Sequence, residues 1–398
     1  MLTRREFVAA TSALVLTAAK HRNARAPITI ELNHNRPFIP VALGGPSHRT
    51  RQVSCWFDTG GGSFVLTKPV VDALGLAVTG PVESAEGSHY QPIVPPRLYV
   101  DDAEIVLAGG SAMMSLDGPT IDPSVASPGF LPGRFLRAHR VLLDYPGKRF
   151  GLDQPLESAA IGLSVQLDAH TAFPRIDVTI DGERQGLLLD SGASCTMLSR
   201  TYIDKLAVKH PDWKTVTGAY GPANMRGTRG ETDARMIRIP EIDLGGIVLR
   251  EVAAVSRPPD TFERWMSNMM SAPIIGALGG NALRNLRLSI DYPRNALGAT
   301  FVENPVAHEF DMVPLMLQPT FKGYQIAAVM AGAKLSVARD QLAGKALVAV
   351  DDEPVGTKPI GSVLALLRGE PGSTHRLRIA GANGALTVEA TVSRIFSS

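Results

Sequence analysis

The sequence predicts a mainly β protein in which one β-rich unit is used twice and a smaller α+β unit follows. Three observations carry this expectation. Two stretches, VSCWFDTGGGSFVL at 53–66 and GLLLDSGASCTML at 186–198, share one design: an apolar run, an aspartate (Asp58 or Asp190), a hydroxyl residue, a glycine, small residues and an apolar recovery. Leu66 and Leu198 each fall eight residues after their aspartate and are followed by Thr67 or Ser199. Further on, GFLPGRFLRAHRVLLDYP at 129–146 aligns without a gap on GALGGNALRNLRLSIDYP at 276–293, with Leu136 on Leu283, Arg137 on Arg284 and LDYP on IDYP.

In chain order, the first element is MLTRREFVAATSALVLTAAKHRNARA, a basic start, an apolar stretch from Phe7 to Ala19 and then small residues. This is the pattern of a cleaved export signal, too short to span a bilayer comfortably. Arg4-Arg5 with Phe7 after them resembles the twin-arginine signal. An exported protein of the bacterial periplasm is therefore expected, cleaved after Ala19 or Ala26 and without an integral membrane span.

Each copy then opens on strand-like sequence, RPFIPVAL at 36–43 before Asp58 and FPRIDVTIDG at 173–182 before Asp190. The stretch from aspartate to the aligned segment is longer in the second copy, which places the added residues in hairpins and loops. With 38 glycines and 29 prolines dispersed along the chain, short strands are punctuated by turns and no low-complexity tract forms. Asp144 and Asp291 precede Tyr-Pro at a strand end in both copies, where a turn-forming aspartate is the ordinary expectation.

At 398 residues, 44% hydrophobic and 20% charged with a formal charge of +2, the chain suits two or three globular domains. Its basic residues are scattered and not interleaved with aromatics, which argues against a nucleic-acid groove. Nine histidines show no HExxH or similar spacing, so no metal and no cofactor are expected. Cys55 and Cys195 invite a disulfide in an exported protein. They do not hold matching positions in the two copies, and two buried free thiols are the preferred reading.

Asp-Ser-Gly alone is an ordinary turn tripeptide. A pair of such aspartates closing on one cleft is another matter, because two adjacent carboxylates in a dry site cannot both ionise and so share one proton. One carboxylate then takes a proton from water while its protonated partner hydrogen-bonds the carbonyl under attack. Apolar strands beneath Asp58 (CWF) and Asp190 (LLL) exclude water, and Gly60 and Gly192 permit the sharp turns that present the carboxyls.

These segments resemble the retropepsin-like aspartic peptidases, here as two copies in one chain over roughly residues 27–305. The resemblance implies a two-lobed pepsin/retropepsin-like acid protease fold from an internal duplication, with lobes at 27–157 and 158–305 after a signal at 1–26. It implies Asp58 and Asp190 as catalytic dyad, Thr59 and Ser191 as hydroxyls cross-bracing the active-site loops with Gly60 and Gly192, and a polypeptide substrate. Two departures stand in the first copy: Gly61-Gly62 replaces Ala193-Ser194, and Pro132 replaces Gly279. They leave a non-catalytic polypeptide-binding protein on a degenerate peptidase fold as the alternative. The family also covers its cleft with β-hairpin flaps. Candidates are residues 80–94, with Gly87 at the tip and Tyr90, and residues 217–231, with Tyr220 and tips at Gly227 or Gly230. As lone tyrosines, Tyr90 and Tyr220 read as packing residues first, with substrate contact as the alternative.

Residues 306–398 have no counterpart in the copies. FKGYQIAAVM, a helix-like SVARDQL, KALVAVDDEPV, a longer helical PIGSVLALLRGEPG, HRLRIA and ALTVEATV give a β-α-β-α-β order that resembles a PDZ domain of the bacterial type. By that resemblance Phe321, Lys322, Gly323 and Tyr324 form a loop for a peptide carboxylate, and the unit recruits or gates polypeptide, peptide C-termini included, or serves as scaffold. Asp351-Asp352-Glu353 reads as a solvated hairpin turn.

Overall fold

A computed structural model describes residues 26–46, 48–85, 88–107, 110–217, 234–270, 272–306, 308–330, 332–381 and 384–396. The expected export signal up to residue 25, Gly87, Tyr220, Gly227 and Gly230 lie outside the described residues. The architecture is mainly β.

Asp58 ends the strand Thr50–Asp58, in a sheet where this strand has Arg36–Gly44 on one side and Gly129–Pro132 on the other. Gly129–Pro132 is inserted parallel to Thr50–Asp58, with Pro132 opposite Asp58, and antiparallel to Phe64–Thr67. A second sheet repeats the arrangement. Gly276–Leu278 runs parallel to Glu183–Leu189, with Leu278 opposite Leu189, and antiparallel to Thr196–Ser199. In both sheets the aspartate strand is central and covered on two faces, which is why its sequence is continuously apolar where it nears the aspartate. Phe57, Leu187 and Leu189 belong to the main core, while Trp56 and Leu188 face the other way.

The two DYP segments meet. Arg140–Asp144 and Leu286–Asp291 pair antiparallel at the centre of a six-stranded sheet, with Val141 opposite Ile290 and Leu143 opposite Leu288. Each terminal aspartate bonds its own turn, Asp144 accepting from the Gly147 N–H at 2.8 Å and Asp291 from the Arg294 N–H at 3.2 Å. The turn reading accounts for that half of their contacts. Each also takes an arginine from the opposite strand: Arg140 donates to Asp291 at 2.9 and 2.7 Å, and Arg287 lies 2.9 Å from Asp144. Burial works against ionisation of Asp291, but the guanidinium bonds from Arg140 and Arg294 outweigh it and hold its carboxyl below the usual aspartate range.

Residues beyond 310 form a separate sheet, Leu315–Thr320, Gly323–Val329, Ala346–Val350, Thr374–Gly381 and Gly384–Thr391 in order, with one helix at Ile360–Leu366. SVARDQL, expected as helix, contains only a short 3-10 turn at Arg339–Gln341. The backbone N–H of Ser336 is spent on Glu389, whose own N–H donates to the Ser336 hydroxyl, so this segment starts as a rung on the neighbouring strand. Of the expected turn Asp351-Asp352-Glu353, the first two residues form a two-residue hairpin turn with positive φ (46° and 67°), and Glu353 already pairs with Val350 in the next strand. Phe321-Lys322 is also a two-residue turn, closed by Thr320 opposite Gly323. This sheet is docked on the first one: Phe321 lies against Gly118, the Ile360 N–H donates to the Ser124 carbonyl at 3.2 Å, and the Gly361 N–H donates to Asn33 Oδ1 at 3.1 Å.

The crossed ion pairs join the halves at a buried seam, and Asp291→Ala leaves Arg140 without its carboxylate. Urea unfolding is expected to show a loss of about 2–4 kcal/mol. Arg394→Ala, at an exposed pair with Asp311, serves as the control and is expected to cost less than about 1 kcal/mol.

Candidate active site

Past Asp58 and Asp190 the chain turns sharply, and N–H groups two or three residues after each aspartate fold back onto its own carboxyl. Gly60 N–H donates to Asp58 Oδ1 at 2.7 Å. Gly192 and Ala193 N–H groups donate to Asp190 Oδ1 at 2.9 and 3.0 Å. The two loops face each other so closely that a β-carbon on Gly192 would collide with the Asp58 carboxyl, and one on Gly60 would lie 3.0 Å from Leu188 and 3.5 Å from the Asp190 carboxyl carbon. Glycine is required at 192 for this approach, not for its torsion angles.

Beneath the carboxyls the loops are interlocked. Thr59 N–H donates to Ser191 Oγ and Ser191 N–H donates to Thr59 Oγ1, both at 3.0 Å. Each hydroxyl passes its own hydrogen across, Thr59 to the Leu189 carbonyl at 2.5 Å and Ser191 to the Phe57 carbonyl at 3.2 Å. Both side chains are wholly buried, so all four groups depend on these bonds. Thr59, Gly60, Ser191 and Gly192 thus lie together around two carboxyls, each of which acts on the ionisation of the other.

The two aspartates are not equivalent. Burial raises Asp58 well above the ordinary carboxylate range, the neighbouring Asp190 charge adds to this, and a single backbone N–H opposes it. Burial also raises Asp190, but the bond from Asp58 and the two N–H donors at Ala193 and Gly192 hold it back. With two backbone N–H donors against one, the ionised form is favoured more at Asp190 than at Asp58. A buried guanidinium, Arg36, lowers both aspartates to a smaller degree; it donates to Ser124 Oγ at 3.2 Å and lies 5.2 Å over the Trp56 ring.

Above the dyad opens a cleft of about 410 Å³. One wall is Trp56, Val65, Tyr90, Met113 and Phe130, which pack as one cluster. The other draws on Phe173, Leu188, Ala193, Met197, Met266 and Met269, part of a second cluster. Tyr90 belongs to the hairpin Glu83–Ala85 and Ser88–Pro92, the predicted first flap, and both packs in its wall and lines the cleft. Met266 and Met269 come from an irregular helical segment, Thr261–Met269, that sequence reasoning had not singled out. Its only signal was a run of Trp and Met between two strands. Arg36 was missed as well, though a cation opening the apolar strand RPFIPVAL was a visible anomaly. Cys55 and Cys195 are buried free thiols, and burial pushes both above the normal thiol range.

Phe321, Lys322, Gly323 and Tyr324 are not part of this cleft. They form the hairpin turn docked on residues 118–126, where Tyr324 is buried and donates its hydroxyl to the Lys358 carbonyl. The cavity beside this turn is about 40 Å³.

Gly61 and Pro132 have local packing reasons, whereas a β-carbon on Gly62 would meet nothing within 4 Å and that glycine has no structural explanation. A β-carbon on Gly61 would stand 2.6 Å from the Phe130 ring, so the residue must be glycine while Phe130 is there. Gly279 uses its N–H on Thr196 Oγ1 at 3.2 Å; in the first sheet Phe64 holds the place of Thr196, and Pro132 has no N–H to satisfy.

Replacing Thr59 by Val keeps the shape but strands the Ser191 N–H and the Leu189 carbonyl. Denaturant unfolding is expected to show a loss of at least about 2 kcal/mol, whereas Thr59→Ser is expected to stay within about 1 kcal/mol of the parent.

No curated protein proved similar to the chain. Residues 176–270, a span that carries Asp190, Ser191, Gly192 and the Thr261–Met269 segment, match the family described as gag-polyprotein putative aspartyl protease.

Proposed function

We propose that the protein is an aspartic endopeptidase whose dyad is Asp58 and Asp190. The observation that carries this reading is the interlocking of two Asp-Thr/Ser-Gly loops so tight that each glycine lies against the other loop's carboxyl. The family match over 176–270 supports it.

In the mechanism, a water held between the carboxyls loses a proton to the Asp190 carboxylate as its oxygen attacks the amide carbon. The carbonyl oxygen receives the proton of Asp58 as the tetrahedral intermediate forms. The charges have then exchanged: Asp190 is protonated and Asp58 is the carboxylate. Collapse returns the hydroxyl proton to Asp58, while the proton on Asp190 goes to the leaving nitrogen as the C–N bond breaks. The dyad ends as it began, with neither metal nor covalent intermediate. The apolar walls exclude bulk water and strengthen each hydrogen bond to the tetrahedral intermediate.

The proposal extends to the whole chain. Two lobes, 27–157 and 158–305, derive from one duplicated unit, and the paired DYP strands with their crossed Arg–Asp contacts follow its two-fold logic. The unit at 306–398 is PDZ-like. Its tight Phe321-Lys322 turn and its docking on residues 118–126 favour bracing or gating of the first lobe over capture of a peptide carboxylate there. The twin-arginine-like start directs export to a bacterial periplasm. Among the described residues no helix is long and apolar enough to cross a membrane.

With an unfolded protein as substrate, Asp58→Asn and Asp190→Asn are each expected to lower kcat by about 10³-fold or more, read by gel and by mass spectrometry of the products. Cleavage that survives both changes contradicts the dyad. The pH profile is expected to be a bell, falling at low pH as the second carboxyl protonates and at higher pH as Asp58 loses its proton, with the upper limb above the ordinary aspartate range. Stability runs with the same sign. The raised folded pKa of Asp58 means that its contribution is complete below the ordinary aspartate pKa and is lost as pH rises through the folded value. Asp58→Asn is therefore expected to have the higher melting temperature near neutral pH, with the difference shrinking as pH falls.

A further inference from the structure

The cleft walls differ at matching ladder positions. Phe130 stands opposite Trp56 in the parallel ladder of the first sheet, and Ala277 stands opposite Leu188 in that of the second. The Phe130 and Trp56 rings meet edge to face, with centroids 5.0 Å apart and planes at 68°. Three residues after its aspartate the first loop has Gly61, whose missing β-carbon makes room for the Phe130 ring. The second loop has Ala193 there, and the small Ala277 belongs to the same buried cluster. Each half thus holds either one large ring and no methyl, or two methyls, a trade of volume within the pair.

What fills the walls differs in kind as well. Two interlocked rings have few rotamers and leave no room to yield. Met197, Met266 and Met269 are unbranched thioethers that can swing aside for a guest, and the half-exposed Trp265 stands at their rim. One wall is built on a fixed pair of rings with Met113 beside them, the other on an adaptable set of three methionines.

We propose that the cleft is polarised: a polypeptide binds in one orientation, its bulky apolar side chain in the methionine-lined half and a small side chain against the rings, and Phe130, admitted by Gly61, imposes the difference. This rests on the peptidase reading. In such a site a misfit of one or two methylenes is worth about 10–200-fold in kcat/KM.

The test uses the full mature chain and peptides that differ in one residue on either side of the cut bond, with product ends mapped by mass spectrometry. Wild type is expected to favour a bulky apolar residue on one side only, by about 10-fold or more. Phe130→Ala is expected to accept bulky residues on both sides. Equal preference on the two sides in wild type, or an unchanged pattern in Phe130→Ala, overturns the proposal. A chain that cuts none of them contradicts the peptidase reading itself. Polarity is then judged by titration calorimetry with the same peptides, where a preference that Phe130→Ala leaves in place overturns it. A thermal unfolding cycle tests the packing pair without any turnover. Gly61→Ala is expected to lower the midpoint by several degrees, and far less when Phe130→Ala is already present; additive shifts overturn the pairing.

Discussion

Everything in the cleft depends on the exchange of hydrogen bonds between Thr59 and Ser191. Two hydroxyls, two backbone N–H groups and two carbonyls close one buried network, and no water reaches it to replace a lost bond. The network fixes the floor of each loop relative to the other. With the floors fixed, Gly60 and Gly192 let the carboxyls meet, and with the carboxyls in contact neither can titrate as an independent aspartate. The geometry is thus over-determined from below, which an arrangement that forces two acids together requires.

The same frame tolerates differences between its halves provided they come in pairs. Gly61 goes with Phe130 and Ala193 with Ala277; Pro132 goes with Phe64 and Gly279 with Thr196. Read singly along the chain, Gly61 and Pro132 look like decay of the first half-site. Placed in the sheets, each removes a group that its partner no longer accommodates or needs. The inequality reaches the two carboxyls too, since Asp190 accepts two backbone N–H bonds and Asp58 one, which favours the ionised form more at Asp190.

Much of this was legible in the sequence because the constraints are local. A turn that must hold a carboxyl, a hydroxyl and a glycine in consecutive places leaves a tripeptide, and a strand buried on both faces leaves an apolar run such as GLLL. The DYP segments could be matched by alignment, yet their contacts could not. Asp291 reads as a turn former from its own neighbours, and only the antiparallel pairing across 151 residues brings Arg140 to it. Arg36 and Ser124, or Met266 and the dyad, are likewise joined by the fold and by no pattern along the chain. SVARDQL carries a helical composition and is overridden by a backbone bond to Glu389. The FKGY turn was placed by analogy of order, and its docking on residues 118–126 depends on a neighbour about 200 residues earlier.

The central claim is that Asp58 and Asp190 share one proton. The most direct measurement is a pH titration of the carboxyl carbons by NMR in aspartate-labelled protein, with Asp58→Asn and Asp190→Asn used to assign the pair. The account predicts that one carboxyl, Asp58, stays protonated well above the ordinary aspartate range, and that Asp190→Asn moves its titration because the neighbouring charge is gone. Two carboxyls that titrate independently within the ordinary aspartate range, each indifferent to loss of the other, would contradict it.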